Sequence, residues 1–243
     1  MTTADRWTHT VREQLGLGRL LPLGGQEDGA WIAERAAREV LLTAARRVAG
    51  VRPGTLRIAA ADLGESAEAA VPAPPSALPP GPLRVTADFA ATVDSAKSAE
   101  PLPATAARLR AALADAAREL GLAVTDVDLR ATALLDADAE PEPTQEPGPR
   151  PRAAVGRGDG DEGRAADAAL GVPGVTRLTA TLGRPVDVTE LPSAGALPRR
   201  HVRVELTVGA GHRAVEVARQ VRTAVSDALS DRPSVAVLVT AVD

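Results

Sequence analysis

The sequence predicts an α+β protein of two tandem αββαβ copies, each a small three-stranded sheet with helices on one face. Residues 30–136 and residues 164–243 pass through the same order of helical and alternating patterns. Each copy carries one Val-x-Gly-Val turn, at residues 48–51 and 172–175. A repeat of this kind separates residues that both copies share, which build the scaffold, from residues found in one copy, where a special function would lie.

The first copy begins with a predicted helix at residues 30–48. A strand at residues 55–60 follows, and then six prolines between residues 72 and 82 predict a stiff, solvated, extended loop. Apolar and polar residues alternate in residues 83–89, which predicts a half-buried strand. A helix from Pro103 to Leu120 and a final strand around residues 127–131 complete the copy. The apolar face of the first helix is built from Ile32, Ala36, Val40, Ala44 and Val48.

The segments outside the copies are predicted from spacing and composition. Residues 1–29 are expected to form a short helix and a loop, because Trp7, Val11 and Leu15 recur every four residues. Residues 137–163 combine acidic residues with proline and then glycine, which predicts a disordered linker. The helix that opens the second copy, near residues 164–170, is unusually short. Each copy alone would be marginally stable, so we expect the two to dock.

Composition excludes several classes of function. The chain of 243 residues has a net charge of −4 and only 1% aromatic residues, which argues against a nucleic-acid partner. It contains no cysteine, so disulfides, thiol nucleophiles and cysteine metal sites are excluded. The sequence has neither a signal-peptide pattern nor an apolar run of membrane-spanning length, and we therefore expect a cytoplasmic protein.

Residues 209–214 match the G-x-G-x-x-A pattern of dinucleotide-binding turns. The acidic residue that this reading needs is available only as Asp243, and the corresponding loop of the first copy has no glycine. We interpret the segment as a tight turn from strand to helix. A weak anion site made by Gly211, His212 and Arg213 is the alternative.

Two further patterns are interpreted as structural. Residues 171–174 satisfy the GxxG pattern of RNA-binding KH domains, but their middle is apolar, and a helix-to-strand turn is the preferred interpretation. A serine hydrolase triad is improbable, because Ser193 lacks the preceding glycine of a nucleophile elbow and the chain has three histidines. The sequence therefore predicts no catalytic residue, no cofactor and no metal ligand.

The last strand of the second copy predicts a covered outer face. Its Ala236 and Leu238 replace Asp128 and Arg130 of the first copy, so apolar residues lie on both sides of the strand. We expect either the first copy or a protein partner to cover the outer side. Leu238, Ala236 and Arg203, the last from a basic stretch at residues 199–222, are the predicted partner-binding residues.

The second copy resembles the alkaline shock protein family, the envelope stress response proteins of Gram-positive bacteria. The resemblance rests on the turn at residues 172–175, the strand at 202–208, the segment 215–218 with Val221, and the closing strand at 235–242. The first half, through residues 7–12 and 79–83, looks like actinobacterial proteins filed under a nucleopolyhedrovirus-type family name, a label without biochemical content.

The resemblance implies a small α+β domain without catalysis, which acts at the cytoplasmic face of the membrane through a membrane-embedded protein partner and self-associates. It transfers no catalytic residues. We therefore expect a non-enzymatic scaffold or interaction protein. The alternatives are a ligand-binding or enzymatic module that uses the turn at residues 209–213, and a KH-like RNA-binding protein.

Overall fold

The computed structural model describes residues 18–61, 67–93, 101–136, 160–191 and 199–243. Within these ranges the chain is mixed α and β, with four α-helices and with nine strands in two sheets, which confirms the α+β class. In chain order the elements are β1 (Leu20–Pro22), β2 (Ala30–Ala33), α1 (Glu34–Arg46), β3 (Val51–Ala60), β4 (Leu83–Val93), α2 (Leu102–Leu120), β5 (Val124–Asp136), α3 (Gly160–Leu170), β6 (Val175–Leu178), β7 (Val186–Leu191), β8 (Arg199–Val208), α4 (Ala214–Ala228) and β9 (Ser234–Val242).

The chain divides into two compact units, each of which draws on separate stretches of sequence. The small unit comprises residues 37–64 and 82–148. The large unit comprises residues 1–36, 65–81 and 149–243. This division differs from the predicted boundaries, because residues 30–36 and 65–81 of the predicted first copy pack with the second.

The sheet of the small unit has the strand order β3–β4–β5. Strands β3 and β4 are antiparallel, whereas β4 and β5 are parallel and are joined through α2. Helix α2 ends at Gly121, whose φ of 95° is the left-handed conformation that glycine adopts without strain. Leu109 and Leu113 of α2 are buried with Val85 and Phe89 of β4, and these apolar side chains form the core of the unit.

The sheet of the large unit has six strands, with the order β1–β2–β9–β8–β6 and with β7 also paired to β8. Helices α3 and α4 pack against each other, and α4 packs on β9. The prediction of three strands was wrong for this unit for two reasons. The antiparallel partner of β8 is split into β6 and β7, and β1 and β2 add two strands at the other edge.

Strand β2 corrects the predicted start of the first helix. The sequence pattern placed residues 30–33 in that helix, but all four are buried in a strand that pairs in parallel with β9. Alternation is absent when both faces of a strand are covered, so a short apolar run of this kind is not distinguished from helix by periodicity.

The proline-rich segment is an irregular loop, as predicted, but it is only partly solvated. The Leu78 N–H donates to the Leu20 carbonyl oxygen at 2.8 Å, which places the segment beside β1. Val71, Pro74 and Pro80 are buried, whereas Pro72, Pro75 and Pro79 are exposed. The segment therefore packs along β1 with part of its side chains in the core and part in solvent.

Two predicted segments fall wholly or mostly outside the described residues. The helix predicted at residues 3–17 lies outside them, as do residues 137–159 of the predicted linker. Residues 160–163 are the first turn of α3, where Gly163 is buried, so the predicted end of the linker at residue 163 was wrong. The helix is 11 residues long rather than unusually short.

The two Val-x-Gly-Val segments form turns of the same geometry. In each, the N–H of the last valine donates to the carbonyl of the first, at 3.2 Å in the small unit and 3.1 Å in the large unit. The turn glycines have positive φ, 77° at Gly50 and 96° at Gly174, which a residue with a Cβ rarely adopts. Each glycine carbonyl accepts a 2.9 Å bond, from the Thr92 N–H in β4 and from the Gly209 N–H directly after β8.

Each unit also has a β-bulge near the end of its parallel strand pair. The register skips Thr132 in β5 and Thr240 in β9. In both cases the threonine hydroxyl donates to a carbonyl across the bulge, to Phe89 and to Leu206, at 3.2 Å. If the two bulges are taken as equivalent positions, Arg130 of β5 corresponds to Leu238 of β9.

An arginine in the middle of each crossover helix binds the last strand of its own unit. The Arg110 Nε donates to the Val127 carbonyl oxygen at 3.2 Å, and the Arg222 Nε donates to the Val235 carbonyl oxygen at 3.1 Å. With the bulges as reference, Val127 and Val235 occupy the same strand position. Such bonds fix the position of each helix along its sheet.

Candidate functional site

A buried polar cluster on β8 is the most unusual chemical feature of the described residues. Glu205 lies in the middle of β8 and its side chain is 0% exposed. Its Oε2 accepts a hydrogen bond from the Thr181 N–H at 2.7 Å, and the Leu182 N–H lies 3.1 Å from both carboxylate oxygens. The donors belong to the loop between β6 and β7, which the carboxylate therefore holds against the sheet.

The backbone of Glu205 holds the same loop. Its carbonyl oxygen accepts from the Thr179 N–H at 3.0 Å, and its N–H donates to the Pro185 carbonyl oxygen at 2.8 Å. The Thr179 and Thr240 hydroxyls, both buried, lie 2.8 Å apart. Hydrogen bonds with Glu205 thus hold residues 179–185 at both ends and in the middle.

Burial raises the pKa of Glu205 to about 7, although the N–H groups of Leu182 and Thr181 and the charge of Arg203 favour the ionised form. The Arg203 Nε lies 3.7 Å from the Glu205 carboxylate, and Arg203 also approaches Asp187 at 3.4 Å. The Arg203 Nε is buried and makes no hydrogen bond. A pKa of about 7 means that the protonated and ionised forms of Glu205 are both populated at neutral pH.

The geometry of this cluster suits structure better than catalysis. A general acid or base must reach the proton of a substrate, whereas both Glu205 oxygens face N–H groups of the chain's own loop. Among the described residues, no group of three or more His, Asp or Glu side chains is placed to hold a metal ion. The cluster anchors the loop at residues 179–185.

The structure also brings together a histidine and a serine that the sequence analysis did not connect. The His201 Nδ1 lies 2.8 Å from the Ser234 Oγ, at the start of two parallel strands. Burial and the charge of Arg203 lower the pKa of His201, against the attraction of Asp187, which favours the neutral imidazole. A nucleophile and base would have this spacing, but the hydrogen bonds of the described residues include none from His201 to an orienting carboxylate. Only a strand alignment that paired residues 201 and 234 would have revealed the contact.

The predicted partner-binding residues are not at a surface. Ala236 and Leu238 are 0% exposed, and the Arg203 side chain is 16% exposed. In the sheet Leu238 lies between Trp31 on β2 and Glu205 on β8. The expectation that both faces of β9 are covered agrees with this burial. Of the two predicted covers, the first copy and a protein partner, a partner is not needed, since both side chains are unexposed in the single chain.

The turn at residues 209–213 connects β8 to α4, as predicted. Gly211 has φ 84°, and Gly211, His212 and Arg213 are exposed. The His212 N–H already donates to the Gly209 carbonyl oxygen at 3.3 Å, which removes one of the donors that an anion would need. The structure thus brings the three residues of the predicted anion site together on one exposed turn.

The acidic residue that a dinucleotide site would need is engaged elsewhere. The Asp243 carboxylate forms an ion pair with Arg177, and the Asp243 backbone oxygen accepts a hydrogen bond from the Ala210 N–H. Both contacts tie the end of β9 to neighbouring elements of the same sheet.

The GxxG segment lines one end of a shallow groove between α3 and α4. The groove has a volume of about 550 Å³, and Val172 and Pro173 contribute apolar surface to it. Arg219, the one basic side chain of the lining, is bound by Asp28 and Glu216. The segment itself is the predicted turn from helix to strand.

Comparisons with known proteins add no assignment. No family model matches the chain, and neither a curated protein nor a solved structure matches it. Within the part of the chain that the structure describes, no helix combines the length and apolar character needed to cross a membrane.

Proposed function

We propose that this protein is a non-enzymatic scaffold or interaction protein of the envelope stress response type. In this proposal it is cytoplasmic and acts at the membrane face through a small membrane protein as its partner. The observation that carries the proposal is how the fold uses its polar groups. Glu205, Arg110 and Arg222 all bind backbone groups of their own unit, a use of polar side chains that supports a structural role for them.

The proposal includes a tandem origin for the two units. Three kinds of hydrogen bond support it, because each occurs once in each unit at corresponding positions. These are the glycine carbonyl bond of the turn, the threonine bond across the bulge and the arginine bond from the crossover helix. Unrelated sheets would have no physical reason to share all three, since none is required for a parallel strand pair.

Copurification tests the proposed partner. The full chain, tagged and expressed in its own organism, is cross-linked, and the membranes are solubilised in mild detergent before capture. We expect one membrane protein to be enriched reproducibly over a capture from cells that express the tag alone. Recovery of no membrane protein above that background would contradict the proposal.

Thermal-shift screening tests the alternatives with the same protein. Nucleotides probe the turn at residues 209–213, and short RNAs probe a KH-like function. We expect each ligand to change the melting temperature of the wild type and of a variant with His212→Ala and Arg213→Ala by the same amount. A nucleotide whose stabilisation disappears in that variant would establish the ligand-binding alternative, and saturable stabilisation by RNA would establish the KH-like one.

A further inference from the structure

Strand β5 leaves one long edge unpaired among the described residues. It is 13 residues long and lies at the end of the sheet order β3–β4–β5. Leu134 is 67% exposed, and Ala131 and Ala133 are also exposed. An edge that is long and carries apolar side chains is a template for pairing with another strand.

In the large unit the corresponding strand edge is paired. There β9 follows the crossover helix, as β5 does, and its outer edge is covered by β2, with Trp31 in register with Leu238. Position 238 corresponds to Arg130 in the small unit. The chain therefore covers this edge in the large unit, while in the small unit no described residue pairs with it and it carries a charge.

The charges on β5 are arranged so that two copies of the strand can pair with opposite charges facing each other, with Leu129 at the centre. If β5 pairs antiparallel with β5 of a second copy and Leu129 is the central residue, Asp128 lies opposite Arg130 of the second copy. The two-fold axis repeats this pair on the other side of the centre. Side chains directly opposite each other lie on the same face of the sheet, so each pair is in contact range. On the other face, Val127 lies opposite Ala131 of the second copy.

Other registers place like charges opposite each other. With Asp128 at the centre, Asp126 would face Arg130 but the two Asp128 side chains would face each other. With Val127 at the centre, Asp126 would face Asp128 of the second copy, and with Arg130 at the centre the two arginines would face each other. Like charges directly opposite are destabilising. The charge pattern thus selects one register, which extends from residue 126 to residue 132, where the bulge at Thr132 ends the regular ladder.

The charged groups around this stretch leave Arg130 available. Arg84 on β4 lies 3.9 Å from Asp126 and 3.7 Å from Asp128, and all three side chains are more than 40% exposed. Asp88 on β4 is the register neighbour of Arg130 without an ion pair to it among the described residues. A second carboxylate approaching from the open edge would meet an exposed guanidinium.

We propose that β5 pairs antiparallel with β5 of a second copy of this chain, centred on Leu129, to form one continuous six-stranded sheet across a two-fold axis. An isologous interface of this kind closes on itself and yields a dimer rather than a filament. The inference goes beyond the proposed function and does not depend on the membrane partner.

Charge reversal tests the pairing in the full chain by sedimentation equilibrium over a wide range of concentrations. We expect Arg130→Asp and Asp128→Arg each to weaken dimerisation at least tenfold, because each places like charges together at the centre. A mixture of the two variants restores both opposite-charge pairs, and we expect a heterodimer of about wild-type affinity. Arg57→Asp is the matched control, since it makes the same charge change at an exposed position of β3, the other edge strand.

Three results would overturn the proposal while circular dichroism shows the variants folded. These are a monomeric wild type at all concentrations, an Arg57→Asp effect as large as that of Arg130→Asp, and a mixture that fails to associate. If the wild type is monomeric and Arg130→Asp abolishes copurification of the membrane protein, the edge binds that partner instead of a second copy. If the wild type dimerises but no membrane protein copurifies, this inference stands and the proposed function is wrong.

A cysteine at the axis gives an independent readout. The chain has no cysteine, so Leu129→Cys introduces a single thiol. Directly opposed residues of antiparallel strands have Cα atoms about 4.5–5.5 Å apart, within the range that a disulfide spans. We expect rapid oxidation of Leu129→Cys to a covalent dimer and none for Arg57→Cys. Equal cross-linking of both variants would contradict the register.

Discussion

Glu205 shows how one residue couples the fold to pH. The sequence placed it in a strand but gave no sign of its environment, because the loop that binds it lies more than 20 residues earlier in the chain. Burial is what raises its pKa, and burial depends on the tertiary fold. A residue of this kind is found only when the structure places the loop.

The first prediction concerns the pH dependence of stability. Since the pKa of Glu205 is about 7 in the folded chain and 4.5 ordinarily, its contribution is fully present below pH 4.5 and is lost as the pH rises through 7. The change is on the order of 3 kcal/mol. We expect Glu205→Gln, which cannot titrate, to lack this loss. Urea unfolding of both proteins from pH 4.5 to 8 measures it.

The difference between the two proteins is the quantity to compare, because His201 titrates in the same window. The lowered pKa of His201 makes stability rise with pH up to its ordinary value of 6.5, opposite to the effect of Glu205. His201 is present in both proteins, so its effect cancels. Parallel stability curves for wild type and variant would show that Glu205 does not titrate in this range.

The second prediction concerns Leu238, which the sequence analysis placed at a partner surface. It is 0% exposed, so Leu238→Arg would bury a charge without a partner. We expect a loss of more than about 3 kcal/mol in the free energy of unfolding, seen by denaturant melts. Leu134→Arg is the matched control, since Leu134 is 67% exposed, and it should change stability by less than about 0.5 kcal/mol. A Leu238→Arg protein as stable as this control would restore the surface interpretation.

At the scale of elements, the sequence predicted those with a clear period. The helix from residue 103 to 120 and the turn at residues 209–213 agree with the structure, since amphipathic spacing and glycine placement are local signals. Strand β2 was missed because its four buried residues carry no period and its partner β9 lies about two hundred residues later. Pairing at such a distance leaves no trace in the local pattern.

The third prediction tests what holds the β1–β2 hairpin in place. Asp28, in the loop between the strands, accepts bonds from the Arg219 guanidinium at 2.7 and 3.0 Å and from the Gly25 N–H at 2.7 Å. The Arg219 hydrogen bond lowers the pKa of Asp28, so the contribution is present above pH 3.8 and is lost as the pH falls through the lowered value. We expect Asp28→Asn to cost about 1 kcal/mol, because Arg219 is half exposed.

Hydrogen exchange of β1 and β2 measures the effect where it occurs. Asp115→Asn is the matched control, since Asp115 pairs with Arg118 on an exposed helix face at 2.7 Å and should change stability by only a few tenths of a kcal/mol. Equal protection of β2 in wild type and Asp28→Asn would show that the sheet alone holds the hairpin.

At the scale of the whole molecule, the chain passes between the two units at residues 36–37, 64–65, 81–82 and 148–149. The sequence predicts the halves to be consecutive domains, because composition marks one linker and nothing in the local pattern marks the other crossings. As a result the sheet of the large unit takes β1 and β2 from the N-terminal half and the remaining strands from the C-terminal half. The predicted linker therefore contains one of four points at which the chain crosses between the two units.

The last prediction follows from this interleaving. A site for a sequence-specific protease inserted after residue 148 divides the chain into fragments that share one sheet, with β2 on one fragment and β9 on the other. We expect the cut fragments to coelute in gel filtration and to separate only in denaturant, because Trp31 and Ile32 on β2 are buried beside β9. We also expect residues 149–243 expressed alone to aggregate, since the apolar edge of β9 is then open. Replacing both Trp31 and Ile32 by Asp should let the cut fragments separate in buffer. If the fragments of the unmodified sequence separate without denaturant, and residues 149–243 stay soluble and folded, then the C-terminal half is complete without β2.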